Sequence, residues 1–201
     1  MITMINRYLN PVRRRRGLTN VVTTLILLTF AVLLALTATA YTNGVTRAQM
    51  NSAGQERIRF YKTHVWVEAL ANGTDWGVVA FKLHNLGGKS IAVVLIDVRS
   101  WEMDWSRVYF HTINKTSEGS LLYSDLNYFS WAFLTGSSVT IDGYNYTQAT
   151  GNVYVKSGER VIVYIRAPEF IYKDNIGTPV SIAVGTSNAN FFTECVVESA
   201  R

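Results

Sequence analysis

Arg13-Arg14-Arg15-Arg16-Gly17-Leu18-Thr19-Asn20-Val21-Val22-Thr23-Thr24-Leu25-Ile26-Leu27-Leu28-Thr29-Phe30-Ala31-Val32-Leu33-Leu34-Ala35-Leu36 begins a run, residues 18–46, of twenty-nine residues without an acidic or basic side chain. Adjacent arginines ahead of an apolar helix resist translocation and hold the preceding segment on the cytoplasmic side. The chain beyond them is expected to be exported or membrane-anchored. At about 1.5 Å per residue the run would form a helix of about 43 Å, against roughly 30 Å of bilayer hydrocarbon. A secretory signal needs only about 7–15 apolar residues. Length therefore favours a helix that persists in the product.

Residues 18–40 hold twelve Leu, Ile, Val or Phe, four Ala, six Thr and one Asn. On the insertion scale the twelve favour membrane residence by about 5 kcal/mol before Asn and Thr are set against them. The helix is stable in lipid, and if it leaves lipid other apolar surface must replace it. Ala31, Ala35 and Thr39 recur every four residues, a small-residue stripe that permits close helix packing. The threonines are expected to return their hydroxyls to carbonyls one turn back. Gly44 is expected to weaken the helix and allow a bend.

Arg16-Gly17 followed by Leu18-Thr19 and a long apolar helix resembles the class III signal of archaeal type IV pilin precursors. The resemblance implies cleavage by a prepilin peptidase between Gly17 and Leu18. Residues 1–17 would then be a basic leader, 18–50 a membrane-spanning assembly helix, and 51–201 a head domain. Bacterial-type pilins carry an acidic fifth mature residue; that place is Val22 here, and archaeal pilins commonly lack the acid. Archaellins usually begin this helix with a Gly-rich stretch, absent from Leu18 to Leu28. The chain is thus more similar to an adhesion-type pilin than to an archaellin. Two other fates stay open: an uncleaved anchor, or secretory cleavage after Ala38-Thr39-Ala40, before Tyr41.

Charge divides the chain at the same place. Arg7 and Arg13 to Arg16 give residues 1–17 five positive charges and no acid, leaving fourteen Lys and Arg against fourteen Asp and Glu. The basic balance belongs to the leader, so no nucleic-acid surface is expected.

Beyond the helix the periodicity is mostly two. Val79, Phe81 and Leu83 alternate with Ala80, Lys82 and His84, which predicts a half-buried strand, whereas the continuous run 91–96 suits a central one. Asn85-Leu86-Gly87-Gly88-Lys89 between them has hairpin-turn composition. The turn Lys156-Ser157-Gly158-Glu159 leads into an apolar strand at 161–165. Further strands are expected near 58–67, 105–113, 139–141, 180–184 and 191–197. Short strands punctuated by Gly, Asn and Asp predict an antiparallel β-sandwich and an α+β fold class. Archaeal pilins and archaellins carry an immunoglobulin-like head, which 85–98 and the turn at Gly158 resemble loosely.

Little here points to catalysis. His64, His84 and His111 fit no metal-ligand spacing, and no nucleophile elbow or P-loop occurs. Trp101-Glu102-Met103-Asp104-Trp105 sets two carboxylates between aromatics, a pattern read first as a strand or turn packed on the sheet and second as a cation or sugar site. The single cysteine, Cys195, excludes an intrachain disulfide and reads as a core thiol beside Phe191, Thr193 and Val197. No catalytic residue, metal or cofactor is expected. Asn72, Asn114 and Asn145 begin N-x-S/T sequons, about as many as 14 Asn and 34 Ser plus Thr give by chance, and are candidate N-glycosylation sites.

The sequence therefore predicts a subunit of an extracellular adhesion filament at the cell surface. Its expected partners are copies of itself in a helical homo-oligomer, the cytoplasmic membrane before assembly, the prepilin peptidase and the pilus assembly machinery. The alternatives are an archaellin and a membrane-tethered β-sandwich that binds a ligand.

Overall fold

The computed structural model describes residues 13–69, 75–114 and 116–200, and of residues 13–19, 48–55 and 69 the backbone alone. The chain forms two compact units, 1–50 and 51–201. The first contains nearly all of one α-helix, α1 (Arg13–Gln55). Its span Asn20–Arg47 is long and apolar enough to cross a membrane by length and composition, and none of it is buried. The helix runs unbroken through Gly44. A single Gly costs a helix roughly 1 kcal/mol, too little to break a helix continued on both sides.

The second unit holds eleven described strands: β1 (Ile58–Ala69), β2 (Asp75–Asn85), β3 (Ile91–Val98), β4 (Trp101–Glu102), β5 (Val108–Thr112), β6 (Ser138–Ile141), β7 (Tyr144–Gln148), β8 (Val153–Val155), β9 (Arg160–Arg166), β10 (Pro179–Thr186) and β11 (Asn190–Ser199). All are hydrogen-bonded in one sheet in the order β4-β3-β10-β11-β1-β2-β9-β5-β7-β6, with β8 beside β3. The pairing is antiparallel except between β1 and β11, which run parallel with Val65 opposite Val197. Thus the class is α+β: an N-terminal apolar helix followed by a mostly antiparallel sheet curled as a half-barrel.

The curl brings Val93, Ile96, Ile182 and Val184 of one arm against Val79, Phe81, Val163 and Ile165 of the other in a shared core. A second core lies on the outer face of β2, β9, β5 and β7. There Trp66, Ala80, Tyr109, Tyr146, Ile162 and Tyr164 are covered by Ile113, Leu126 and Leu134. β9 is consequently buried on both faces, which its run Val161-Ile162-Val163-Tyr164-Ile165 requires.

Three expectations change. β2 is not half-exposed, because the segment 113–137 roofs its outer face and encloses Ala80 and Lys82. The glycine-rich stretch after Asn85 is not a hairpin, since β2 pairs with β1 and β9 and β3 pairs with β10, β4 and β8. It crosses from one arm to the other, held by buried Asn85, whose Nδ2 donates to the carbonyls of Lys89 (2.7 Å) and Val155 (3.0 Å). Finally, the strand expected from Trp105 begins only at Val108. Residues Trp105–Arg107 form a 3-10 turn capped by Asp104, whose side chain accepts from the Ser106 amide.

A bulge in β1 decides which residues reach the outer face. Tyr61 lies opposite Lys82 but His64 lies opposite Ala80, so one extra residue is accommodated, with Lys62 at φ 49°. Ile58 and Phe60 face inward before it, Val65 and Val67 after it. The shift delivers His64 and Trp66 to the same outer face as Lys82.

Candidate functional site

The outer face of the half-barrel carries a connected group of polar side chains. Lys82 is 2% exposed, and its ammonium donates to the carbonyl oxygens of Leu121 (2.5 Å) and Ser124 (2.8 Å). Burial lowers its pKa, and the Asp125 carboxylate pulls the other way. A lysine stem lined by apolar neighbours with its head on loop carbonyls fastens the roof to the sheet.

Two histidines clasp the same roof. His64 stacks on Trp66 with ring centroids 5.0 Å apart and donates from Nε2 to Asp125 Oδ1 at 3.0 Å. The His111 ring meets the Asn145 carbonyl through Nδ1 and Glu118 Oε2 through Nε2, both at 2.9 Å. Both partners, a backbone carbonyl and a carboxylate, are acceptors. Nearby, Tyr128 and Ser130 hydroxyls donate to Glu68 Oε2.

These clasps give the head an acid sensitivity of known sign. The bond from His64 holds the Asp125 carboxyl below its usual 3.8 against the effect of burial. For Glu118 burial pushes up, but the Asn114 amide and His111 together bring it below its usual 4.5. A carboxyl lowered in the folded state stabilises above its unfolded value, and the contribution is lost as pH falls through the folded value. Amide protection across 113–137, taken relative to intrinsic exchange at each pH, should therefore fall below about pH 4 while β2 and β9 stay protected. Uniform protection of both regions at that pH would contradict the clasp.

The sequon at Asn114 opens the roof: its side chain is exposed and its Oδ1 accepts from the Thr116 amide at 3.0 Å. Asn145 is exposed on β7, between inward-facing Tyr144 and Tyr146. Asn72 lies outside the described residues. The sequence reading missed β7 altogether because Tyr144-Asn145-Tyr146-Thr147-Gln148 is polar. The signal was Asp142-Gly143, which turns β6 into β7 with φ of 51° and 82°, both left-handed as a two-residue hairpin requires.

The aromatic cluster at 101–105 is divided. Met103 is buried and Trp105 packs on the inner core, whereas Trp101 stays 49% exposed with its ring edge-on to Phe170 at 5.3 Å. Arg99, Ser100, Ala167 and Phe170 all have positive φ, and Arg99 Nη1 donates to the Phe170 carbonyl at 2.7 Å. These strained loops lie at the end of the head away from Ile58.

On α1, the Gly17–Leu18 bond and Arg16 lie within helical backbone. Ala31, Ala35 and Thr39 are exposed along one face, and Thr39 returns its hydroxyl to the Ala35 carbonyl at 2.7 Å. Thr29, Thr37, Thr42 and Thr46 do the same four residues back, so these hydroxyls are satisfied without solvent. Cys195 packs against the inner core, and burial pushes its thiol up to about 11. His64, His84 and His111 are not brought together, and among the described residues no group of three metal-ligating side chains exists. No family model matches the sequence, and no curated protein matches it.

Proposed function

We propose that the chain is the precursor of a subunit of an extracellular type IV pilus-like filament of archaeal kind, serving attachment at the cell surface. One observation carries the reading: α1 presents an apolar surface all round, with Leu25, Phe30, Leu33 and Leu36 exposed, directly after the Arg16-Gly17-Leu18 junction. A helix apolar on every side is stable only when covered, in a membrane or among other apolar helices. The membrane covers it before assembly, and identical helices cover it afterwards in an interface that repeats without closing. Ala31, Ala35 and Thr39 form the face of closest approach, and the self-satisfied threonines let the helix leave lipid without exposing polar groups.

The head then coats the filament. Its two arms facing each other across one core support an immunoglobulin-like reading, and its exposed sequons at Asn114 and Asn145 are the places for N-linked glycans. Prepilin peptidase and an assembly machinery are the partners that this reading requires.

A membrane-tethered binding module is the second reading, favoured by helical backbone that continues from Arg13 across the Gly17–Leu18 bond. Electron microscopy of mechanically sheared surface material, labelled with antibody against the head, separates the two. Labelled filaments support the first reading; antigen confined to membranes, with no labelled filament, overturns it.

A further inference from the structure

Two rows of like charge cross the outer face of the sheet, one on each arm. On β1, β2 and β9, Arg59 lies opposite His84 and His84 opposite Arg160, so three basic side chains stand on neighbouring strands. Both guanidiniums gather on the Tyr61 ring, at 5.0 and 5.9 Å from its centroid. On β4 and β3, Glu102 lies opposite Asp97, and the same row runs on through Ala183 to Phe192 of β11. Like charges set directly opposite one another destabilise a sheet.

Neither row is neutralised by ion pairs within the head. Among the described residues the cations of its ion pairs are Lys62, His64, Arg107 and His111; Arg59, Arg160, Asp97 and Glu102 enter none. Arg160 Nε is buried without an acceptor, and burial raises the Asp97 carboxyl above its usual 3.8. In the sheet order β10 and β11 stand between Asp97 and Arg59, three strand steps or roughly 14 Å, too far for contact in one molecule. Each row also has an exposed ring beside it. Tyr123, 79% exposed, lies 5.8 Å from the Arg160 guanidinium, and Phe192, 69% exposed, ends the acidic row. Aromatic rings and arginine are enriched at protein interfaces relative to open surface.

We propose that the two rows are complementary halves of a contact between copies of this chain, the Arg59 and Arg160 guanidiniums of one head seated on the Asp97 and Glu102 carboxylates of the next. Because the halves differ, each head keeps one free for a further copy, and such a contact repeats without pairing off. The contact goes beyond the filament proposal, which rests on α1. Either can fail without the other.

The test is sedimentation velocity of the full-length chain in a detergent with an uncharged headgroup, which covers α1 and leaves the heads to associate. At about 10 mM salt, with a screening length of roughly 30 Å, it should self-associate with a dissociation constant of about 10–100 µM. At about 1 M salt, where that length is roughly 3 Å, it should be monomeric. The double variant Arg59→Glu with Arg160→Glu is acidic on both rows, and Asp97→Lys with Glu102→Lys is basic on both. Each should weaken self-association at least about tenfold. Mixed in equal amounts the two should associate again, the intact acidic row of the first meeting the intact basic row of the second. Lys173→Glu, in neither row, should change nothing. Should the lysine pair alter the melting curve, Asp97→Asn with Glu102→Gln takes its place, with the same loss and the same rescue expected. A monomer throughout at low salt overturns the inference. Self-association that either double variant leaves intact does so equally, as does loss in both without rescue on mixing.

Discussion

Gly17→Leu is expected, under the filament proposal, to leave the full-length chain in the membrane and to remove filaments from the cell surface. Under the filament proposal the bond between Gly17 and Leu18 must be opened before α1 can leave the bilayer, since the leader carries Arg7 and Arg13 to Arg16. An arginine placed at the bilayer centre costs about 2.5–3.5 kcal/mol on the insertion scale, and a cluster of them holds the N-terminus at the cytoplasmic surface. Uncut subunits therefore cannot enter a dry helical core. The substitution adds a branched side chain beside the scissile bond and changes nothing in the head, so the loss should be close to complete while the head's melting temperature is unaltered. Gly17→Ala, the smallest change, should retain part of the processing. Immunoblots of membrane and sheared fractions distinguish precursor from product. Normal filaments from Gly17→Leu would mean that processing at this bond is not needed.

Lys82→Met should destabilise the head by about 2–3 kcal/mol, through loss of charged hydrogen bonds to two carbonyls. Methionine matches the stem in length and apolar character, so the change removes the ammonium and little else. The carbonyls of Leu121 and Ser124 lose their donor, and Asp125 loses a neighbouring positive charge. For a domain of this size the corresponding fall in melting temperature is about 5–10 °C. Hydrogen exchange should localise the damage to 113–137. Were Lys82 on an open sheet face, as the alternation of β2 suggests, the same substitution would change stability by less than about 0.5 kcal/mol. Thermal melts of the two proteins decide between these outcomes.

The contrast at Lys82 illustrates what sequence can carry. The helix was legible because its signal is one-dimensional: length, absence of charge and a flanking arginine cluster need no knowledge of what folds over what. β9 was legible as a strand for the same reason. For β2 the alternation Val79-Ala80-Phe81-Lys82-Leu83 was read correctly as a strand and wrongly as half-exposed. Its outer cover comes from 113–137, a segment separated in sequence and built of 3-10 turns with no period of its own. The bulge at Lys62 left a trace, because inward residues change from even positions (Ile58, Phe60) to odd ones (Val65, Val67) within one strand. Only the pairing partner fixes where that change falls.

The β6–β7 hairpin was illegible for a related reason. Tyr146, Asp142 and Asp125 come from a hairpin and a loop whose approach is set by the roof, and a strand as polar as β7 has no hydrophobic alternation to announce it. The dipeptide Asp142-Gly143 was the one local clue. The parallel pairing of β1 with β11 joins residues more than a hundred positions apart, and no turn specifies it.

Mass-spectrometric reading of the N-terminal residue of this protein, recovered without detergent from mechanically sheared surface material, tests the filament proposal most directly. The account predicts Leu18, with α1 intact in the sheared product. Recovery of chains beginning at Met1, and from membranes alone, would contradict it.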